Sequence, residues 1–344
     1  MKIIKLLEKM QTFRTVGALS LSLLAGCGPQ SPDFAILGAS ESTYQGSVAN
    51  NKVDLLFVID NSGSMIPQQT KLANSLSSFA NVFVTKGFDF HVGVITTDMA
   101  DPAQSGLLQG TPRVLSNGPS FLSDFQTNVQ VGDGGSAYEL PFDAIIEGLS
   151  DANVAGANSG FLRADAHLAV IVISNEDQDN VNPGGTPKTV SEVVSFLNQL
   201  KPEKFDVLSR TYKKNYTVSA VVAPSVSDPE CVALGAGAFD EGPKITALAN
   251  LTNGSVASIC KPDFSSGLTQ ISQRIAEAIT EIALATVPNQ STIKITFNGS
   301  EVPQDAADGW TYSSAGNKII FHGDAIPTDN TSIAIDYIPN DIIR

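Results

Sequence analysis

Cysteine, histidine, tryptophan and positive charge are all scarce in this chain. Its 344 residues hold three cysteines, three histidines and one tryptophan, and 21 Lys and Arg face 35 Asp and Glu. His91, His167 and His322 stand far apart and no CxxC pair occurs, so a zinc cage of the usual spacing is excluded. A net charge of −14 repels phosphate backbones, which sets nucleic acid aside as a partner. No apolar run approaches the ~20 residues of a membrane-crossing helix, which excludes a multi-span protein. GxSxG and HExxH are missing, and with them two common hydrolytic signatures. Disorder is excluded as well, because 42% of the residues are hydrophobic and only 16% charged.

The N-terminus reads as a processing signal. Lys2, Lys5, Lys9 and Arg14 precede the short apolar stretch VGALSLSLLAG, and Leu24-Ala25-Gly26-Cys27 follows. That tetrapeptide resembles the lipobox of bacterial lipoproteins, which implies cleavage after residue 26 and lipidation of Cys27; an ordinary signal peptide is the alternative. Gly28 in place of Asp implies delivery to the outer membrane rather than retention at the inner one. Several acyl chains hold a membrane more firmly than the single chain that binds only marginally. Cleavage takes away four cations and one anion (Glu8), so the net of −14 becomes −17. Residues 27–50 are small and polar and read as a tether. In an exported chain Cys231 and Cys260 are expected to pair, two buried free thiols being the alternative.

From residue 51 to 286 apolar strands alternate with amphipathic helices. Strands are expected at Val53 to Ile59, Phe90 to Thr96, Leu168 to Ile173, Thr217 to Val222 and Ser255 to Ile259, apolar on both faces as in a covered parallel sheet. Leu72, Leu76, Phe79 and Phe83 mark one helix, Thr189 and Glu192 a capping box for another, and Leu268, Ile271, Ile275, Ile279 and Ile282 a third running to about residue 283. The pattern predicts an α/β fold, doubly wound around a mostly parallel sheet, whose ligands bind at the carboxyl ends of the strands. Residues 287–344 change to a period of two, with Asn298-Gly299 as a hairpin turn, and predict a small all-β module in which Trp310 serves the core.

One stretch carries chemistry. LLFVIDNSGSM, residues 55 to 65, runs a buried strand into Asp60, Ser62 and Ser64, three oxygen side chains that converge when Gly63 relaxes the turn. A small hard cation suits such oxygens. DNSGS resembles the Asp-x-Ser-x-Ser motif of von Willebrand factor A domains, and the resemblance spans about residues 50 to 285. It implies a metal-ion-dependent adhesion site for Mg²⁺ or Mn²⁺, with further ligands from two later loops. For those the resemblance offers Ser136, in VGDGGSAYEL, and Asn175, in ISNEDQDN, where the family has Thr and Asp. Gly134 and Gly135 would let the backbone approach closely. Asn175 costs the site a charge unless Glu176 or Asp177 supplies one. Asp98 falls on the same rim, with a solvated loop acid as the bland alternative.

The family's open coordination position implies a protein partner that offers a carboxylate. With no nucleophile beside a base, the chain is expected to bind rather than catalyse. Haloacid-dehalogenase-like phosphatases also open on a strand ending in Asp, but they need a second acid where this chain has Ser62. A structural envelope lipoprotein with a decayed metal site, acting through the β module, is the other reading.

Overall fold

The computed structural model describes residues 42–47, 51–179, 185–206, 211–225, 227–234, 239–327 and 331–340. The signal segment, Cys27 and the first part of the expected tether lie outside the described residues. Strand β1 (Ser42–Ser47) is followed by β2 (Lys52–Ile59), helix α1 (Ile66–Thr85) and β3 (Asp89–Thr96). Helices α2 (Phe121–Asn128), α3 (Pro141–Gly148) and α4 (Asp151–Ala155) lead to β4 (His167–Ile173) and α5 (Val190–Leu200). A short pair, β5 (Lys204–Asp206) and β6 (Thr211–Lys213), precedes β7 (Tyr216–Val222) and helix α6 (Pro229–Ala233). Helix α7 (Pro243–Leu251), β8 (Val256–Ser258) and α8 (Ser265–Thr280) complete the alternating part. The last strands are β9 (Ile282–Ala283), β10 (Lys294–Phe297), β11 (Ser300–Glu301), β12 (Trp310–Ser313), β13 (Lys318–Phe321) and β14 (Ser332–Tyr337).

A five-stranded parallel sheet in the order β3-β2-β4-β7-β8 forms the α/β part, as the alternation predicts. Its strands are apolar on both faces because both are covered. Val53, Leu55, Phe57 and Ile59 of β2 point into a core shared with α1, α2 and α8, whereas Leu56 and Val58 point into a second core with α3, α5 and α7. This split follows from the two-residue period of a strand. In the first core the Phe57 ring meets Phe79 at 5.2 Å and Phe125 at 5.0 Å, both edge to face, a geometry that suits the aromatic quadrupole. The capping box forms as read: Thr189 Oγ1 accepts from Glu192 N, and the Glu192 carboxylate accepts from Thr189 N.

Two boundaries differ from the sequence reading. Helix α8 stops at Thr280, and Ile282 pairs with Ile319 in β13 instead of extending the helix. Residues 42–47, read as tether, form β1 and pair antiparallel with β14 along Ser42 to Ser47. STYQGS has no apolar alternation to announce a strand; the free edge of β14, paired with β10 on its other side, recruits it. The β module therefore draws on chain from before the α/β part. Its sheets, β1-β14-β10-β11 and β12-β13-β9, share a core of Ile295, Ile333, Ile335 and Tyr337 against Trp310, Ile319 and Phe321. Trp310 is buried and its indole N–H donates to Val302 O at 3.0 Å, a core role as read. Asn298 and Gly299 take φ of 49° and 83°, the left-handed pair that a two-residue hairpin requires.

Among the described residues no helix is long and apolar enough to cross a membrane. Cys231 and Cys260 form a disulfide that ties α6 to the end of β8.

Candidate metal centre

The carboxyl ends of β2, β3 and β4 meet at one place, and their backbones explain why. Asp60 N donates to Ile173 O at 3.0 Å and Thr97 N to Ile59 O at 3.2 Å, so the sheet pairing continues one step past the strands and fixes their exits side by side. Asp60 is fully buried. Its Oδ1 accepts from Ser62 N at 2.8 Å, which curls the loop, and its Oδ2 accepts from Ser174 Oγ at 2.8 Å. Ser62 Oγ and Ser64 Oγ stand 3.5 Å apart, and Asn175 Nδ2 donates to Ser64 Oγ at 3.0 Å. Asp60, Ser62, Ser64 and Asn175 thus form one connected group.

The Ser136 loop is stitched to it. Gly135 N donates to Asn61 O at 2.9 Å. A Cβ on Gly135 would fall 2.4 Å from Asn61 Oδ1, so glycine is needed here, whereas Gly134 has open space around it. Ser136 N donates to Asp98 Oδ2 at 3.2 Å, and Ser136 Oγ accepts from Tyr138 N at 3.0 Å. Asp98 is buried, and its Oδ1 also accepts from Ala100 N and Asp101 N. It is a loop-building acid rather than a solvated one.

Asp177 does something other than the sequence suggests. Its two oxygens accept from Lys244 N and Ile245 N, each at 3.1 Å, at the N-terminus of α7. A carboxylate held there satisfies otherwise orphaned helix N–H groups and complements the helix dipole, a capping role that the motif reading did not include. Glu176 does sense Asp60: it is half-buried, and burial first, then the charge of Asp60, raises its carboxyl above the ordinary value.

Two further residues belong to this place and escape a motif reading. The Gln69 amide, on the first turn of α1, spans two loops: Nε2 donates to Asp60 O at 3.1 Å and Gly132 O at 2.7 Å, and Oε1 accepts from Gly132 N at 3.1 Å. Glu139 is 1% exposed. Its Oε2 accepts from Thr97 Oγ1 at 2.6 Å, and its Oε1 is buried with no hydrogen-bond donor. Burial, then the charge of the neighbouring Asp60, pushes the Glu139 carboxyl up to about 9. In sequence Glu139 is one acid among many, three residues past Ser136, and only its burial singles it out.

The donors around Asp60 are carboxylate, hydroxyl and amide oxygens, the chemistry that Mg²⁺ and Mn²⁺ prefer. The orphaned Oε1 of Glu139 beside Asp60 fits a cation as well, since a buried carboxyl oxygen without a donor is costly until positive charge reaches it. Among the described residues no three of His, Cys, Asp and Glu form a metal cage, so a cation here would rely on the mixed oxygen set.

No protein-family model matches this chain, and no curated protein matches it in sequence. Solved structures do. A proximal thread matrix protein from the mussel byssus is 13% identical, with a TM-score of 0.39, over 71% of this chain and 52% of its own. The pilus adhesin SpaC of Lactobacillus rhamnosus GG, in an open conformation, is 13% identical, with a TM-score of 0.38, over 86% of this chain and 42% of its own. The pilus adhesin RrgA of Streptococcus pneumoniae is 7% identical, with a TM-score of 0.30, over 87% of this chain and 59% of its own. The chain thus spans about half the length of the proteins it matches.

Proposed function

We propose that this chain is an envelope-tethered binding protein that grips a carboxylate of a protein partner through a divalent cation at the Asp60 group. One observation carries the reading: a buried acid at the end of a central strand stands among hydroxyl and amide oxygens, beside a second buried carboxyl whose Oε1 has no donor. Asp60, Ser62, Ser64 and Ser136 would hold Mg²⁺ or Mn²⁺, with Asn175 steadying Ser64. When bound, the ion supplies concentrated positive charge and a coordination position that an outside carboxylate fills.

The chain's own residues prepare that position. Ser62 N and Ser174 Oγ orient the Asp60 carboxylate, and Gln69 and the Gly135–Asn61 contact keep the two loops in register. Exposed Ile66 and Tyr138 flank the group and offer apolar contact to a partner. We further propose that Cys27 is lipidated and carries the protein at the outer membrane. Catalysis has no part in this reading.

The experiment is a calorimetric Mg²⁺ and Mn²⁺ titration of the full chain and of Asp60→Ala, followed by capture of a carboxylate-bearing peptide library with and without chelator. Saturable cation uptake lost in Asp60→Ala, with capture that needs the cation, is expected. Capture indifferent to chelator and to Asp60→Ala would overturn the proposal. It would favour a structural role through the β module, to which β1 contributes from the chain ahead of the α/β part.

A further inference from the structure

This inference rests on the cation reading above and concerns where its negative charge comes from. Asp60 by itself is a weak seat for a divalent ion, because a site's affinity follows the number of charged ligands it offers. Asn175, in the loop after β4, brings an amide rather than an acid. The acids near the group can be sorted by what already occupies their oxygens. Asp98 accepts from three backbone N–H groups, those of Ala100, Asp101 and Ser136. Asp177 accepts from two at α7. Asp179 Oδ2 accepts from Glu139 N. Asp143 stands on the first turn of α3, where its Oδ2 accepts from Gln178 Nε2 and Lys188 N. Glu176 is only half-buried, so water reaches it.

Glu139 differs from all of these. It is 1% exposed, and its single protein donor is Thr97 Oγ1. Thr97 is itself locked to Ile59, the residue before Asp60, by a backbone hydrogen bond of 3.2 Å. Thr97 thus fixes Oε2 and leaves Oε1 buried and without a donor. Two buried carboxylates close together repel, so the pair holds either a proton or a cation, and a cation that binds there displaces the proton. Native chains seldom bury such an oxygen for no return.

We infer that Glu139 is the second acid of the cation site, set by Thr97 so that its Oε1 and the Asp60 carboxylate together furnish the charge that Asn175 does not. The site is then asymmetric: its charge comes from β2 and from the loop ahead of α3, while the loop after β4 contributes neutral groups. Thr97 acts as a positioning residue.

The test is Mn²⁺ titration calorimetry on the full chain, with circular dichroism as the folding control. Wild type is compared with Glu139→Gln, which keeps the shape, Glu139→Asp, which keeps the charge on a shorter stem, and Glu176→Gln. The expected result is at least a tenfold loss of Mn²⁺ affinity in Glu139→Gln, a smaller loss in Glu139→Asp and less than a threefold change in Glu176→Gln. Wild-type affinity retained in a folded Glu139→Gln overturns the inference and leaves the cation reading standing, as does a larger loss in Glu176→Gln than in Glu139→Gln. A wild type that takes up no Mn²⁺ overturns both, and the two failures are therefore distinguishable.

Discussion

Replacing Glu139 by Gln should stabilise the cation-free protein at neutral pH and flatten its response to alkali. Burial and the neighbouring Asp60 raise the Glu139 carboxyl from 4.5 to about 9 in the folded chain. In the unfolded chain nothing raises it, and it ionises near its ordinary value of about 4.3. Between those two pH values the folded state holds one proton more than the unfolded state. The unfolding free energy therefore falls as pH rises, by about 1.4 kcal/mol per pH unit. The favourable contribution is whole below the unfolded value and is lost as pH climbs through the folded one. By pH 7 the accumulated loss is on the order of 4 kcal/mol. Glutamine never ionises, and its amide oxygen still accepts from Thr97. Urea denaturation in EDTA at pH 5, 6, 7 and 8 reads this directly: wild-type stability should decline across the series, and the gap to Glu139→Gln should widen with it. Parallel curves, or a variant less stable at every pH, would refute the claim that this carboxyl sits neutral beside Asp60. Mg²⁺ added at pH 8 should restore part of the wild-type loss, because a ligand that binds only the folded state stabilises it by mass action.

Three other outcomes follow from the same geometry. Cys231 and Cys260 are 29 residues apart, so the double serine variant should lose roughly 3 to 4 kcal/mol of stability, read by denaturation with and without reductant; equal curves would show that the cross-link contributes nothing. Gly135→Ala drives a methyl group to within 2.4 Å of Asn61 Oδ1, so it should lower the thermal midpoint and weaken Mn²⁺ uptake several-fold, and unchanged uptake would argue that the Ser136 loop lies outside the site. Deleting residues 42–47 uncovers one edge of β14, and hydrogen exchange should show faster exchange of amides in β14 while β2 and β4 keep their protection; a uniform change across the chain would contradict a local role for β1.

The elements that could be read from residues alone are those whose signal is local. Leu55 to Ile59 announce a doubly covered strand, Thr189 and Glu192 announce a helix start, and Asn298-Gly299 announces a hairpin, because each pattern is written within a few neighbours and tertiary context agrees with it. The placing of Asp60, Ser62 and Ser64 in one turn is legible for the same reason. Boundaries were harder: Ile282 continues the apolar period of α8, and only the open edge of β13 shows why it leaves the helix.

What the tertiary structure alone decided concerns groups distant in sequence. Asp177 and Glu139 are both acids a few residues from a motif position, and nothing in their neighbours separates them. The fold sends Asp177 to the start of α7 and buries Glu139 against Thr97 and Asp60. STYQGS likewise becomes a strand only because β14, nearly three hundred residues later, has an edge to cover. Periodicity and capping are properties of a chain segment, so sequence by itself determined the strands, the helices and the oxygen-rich turn. Which carboxylates share that turn depends on which loops the sheet order brings to one end, and that order exists only once the chain has closed on itself.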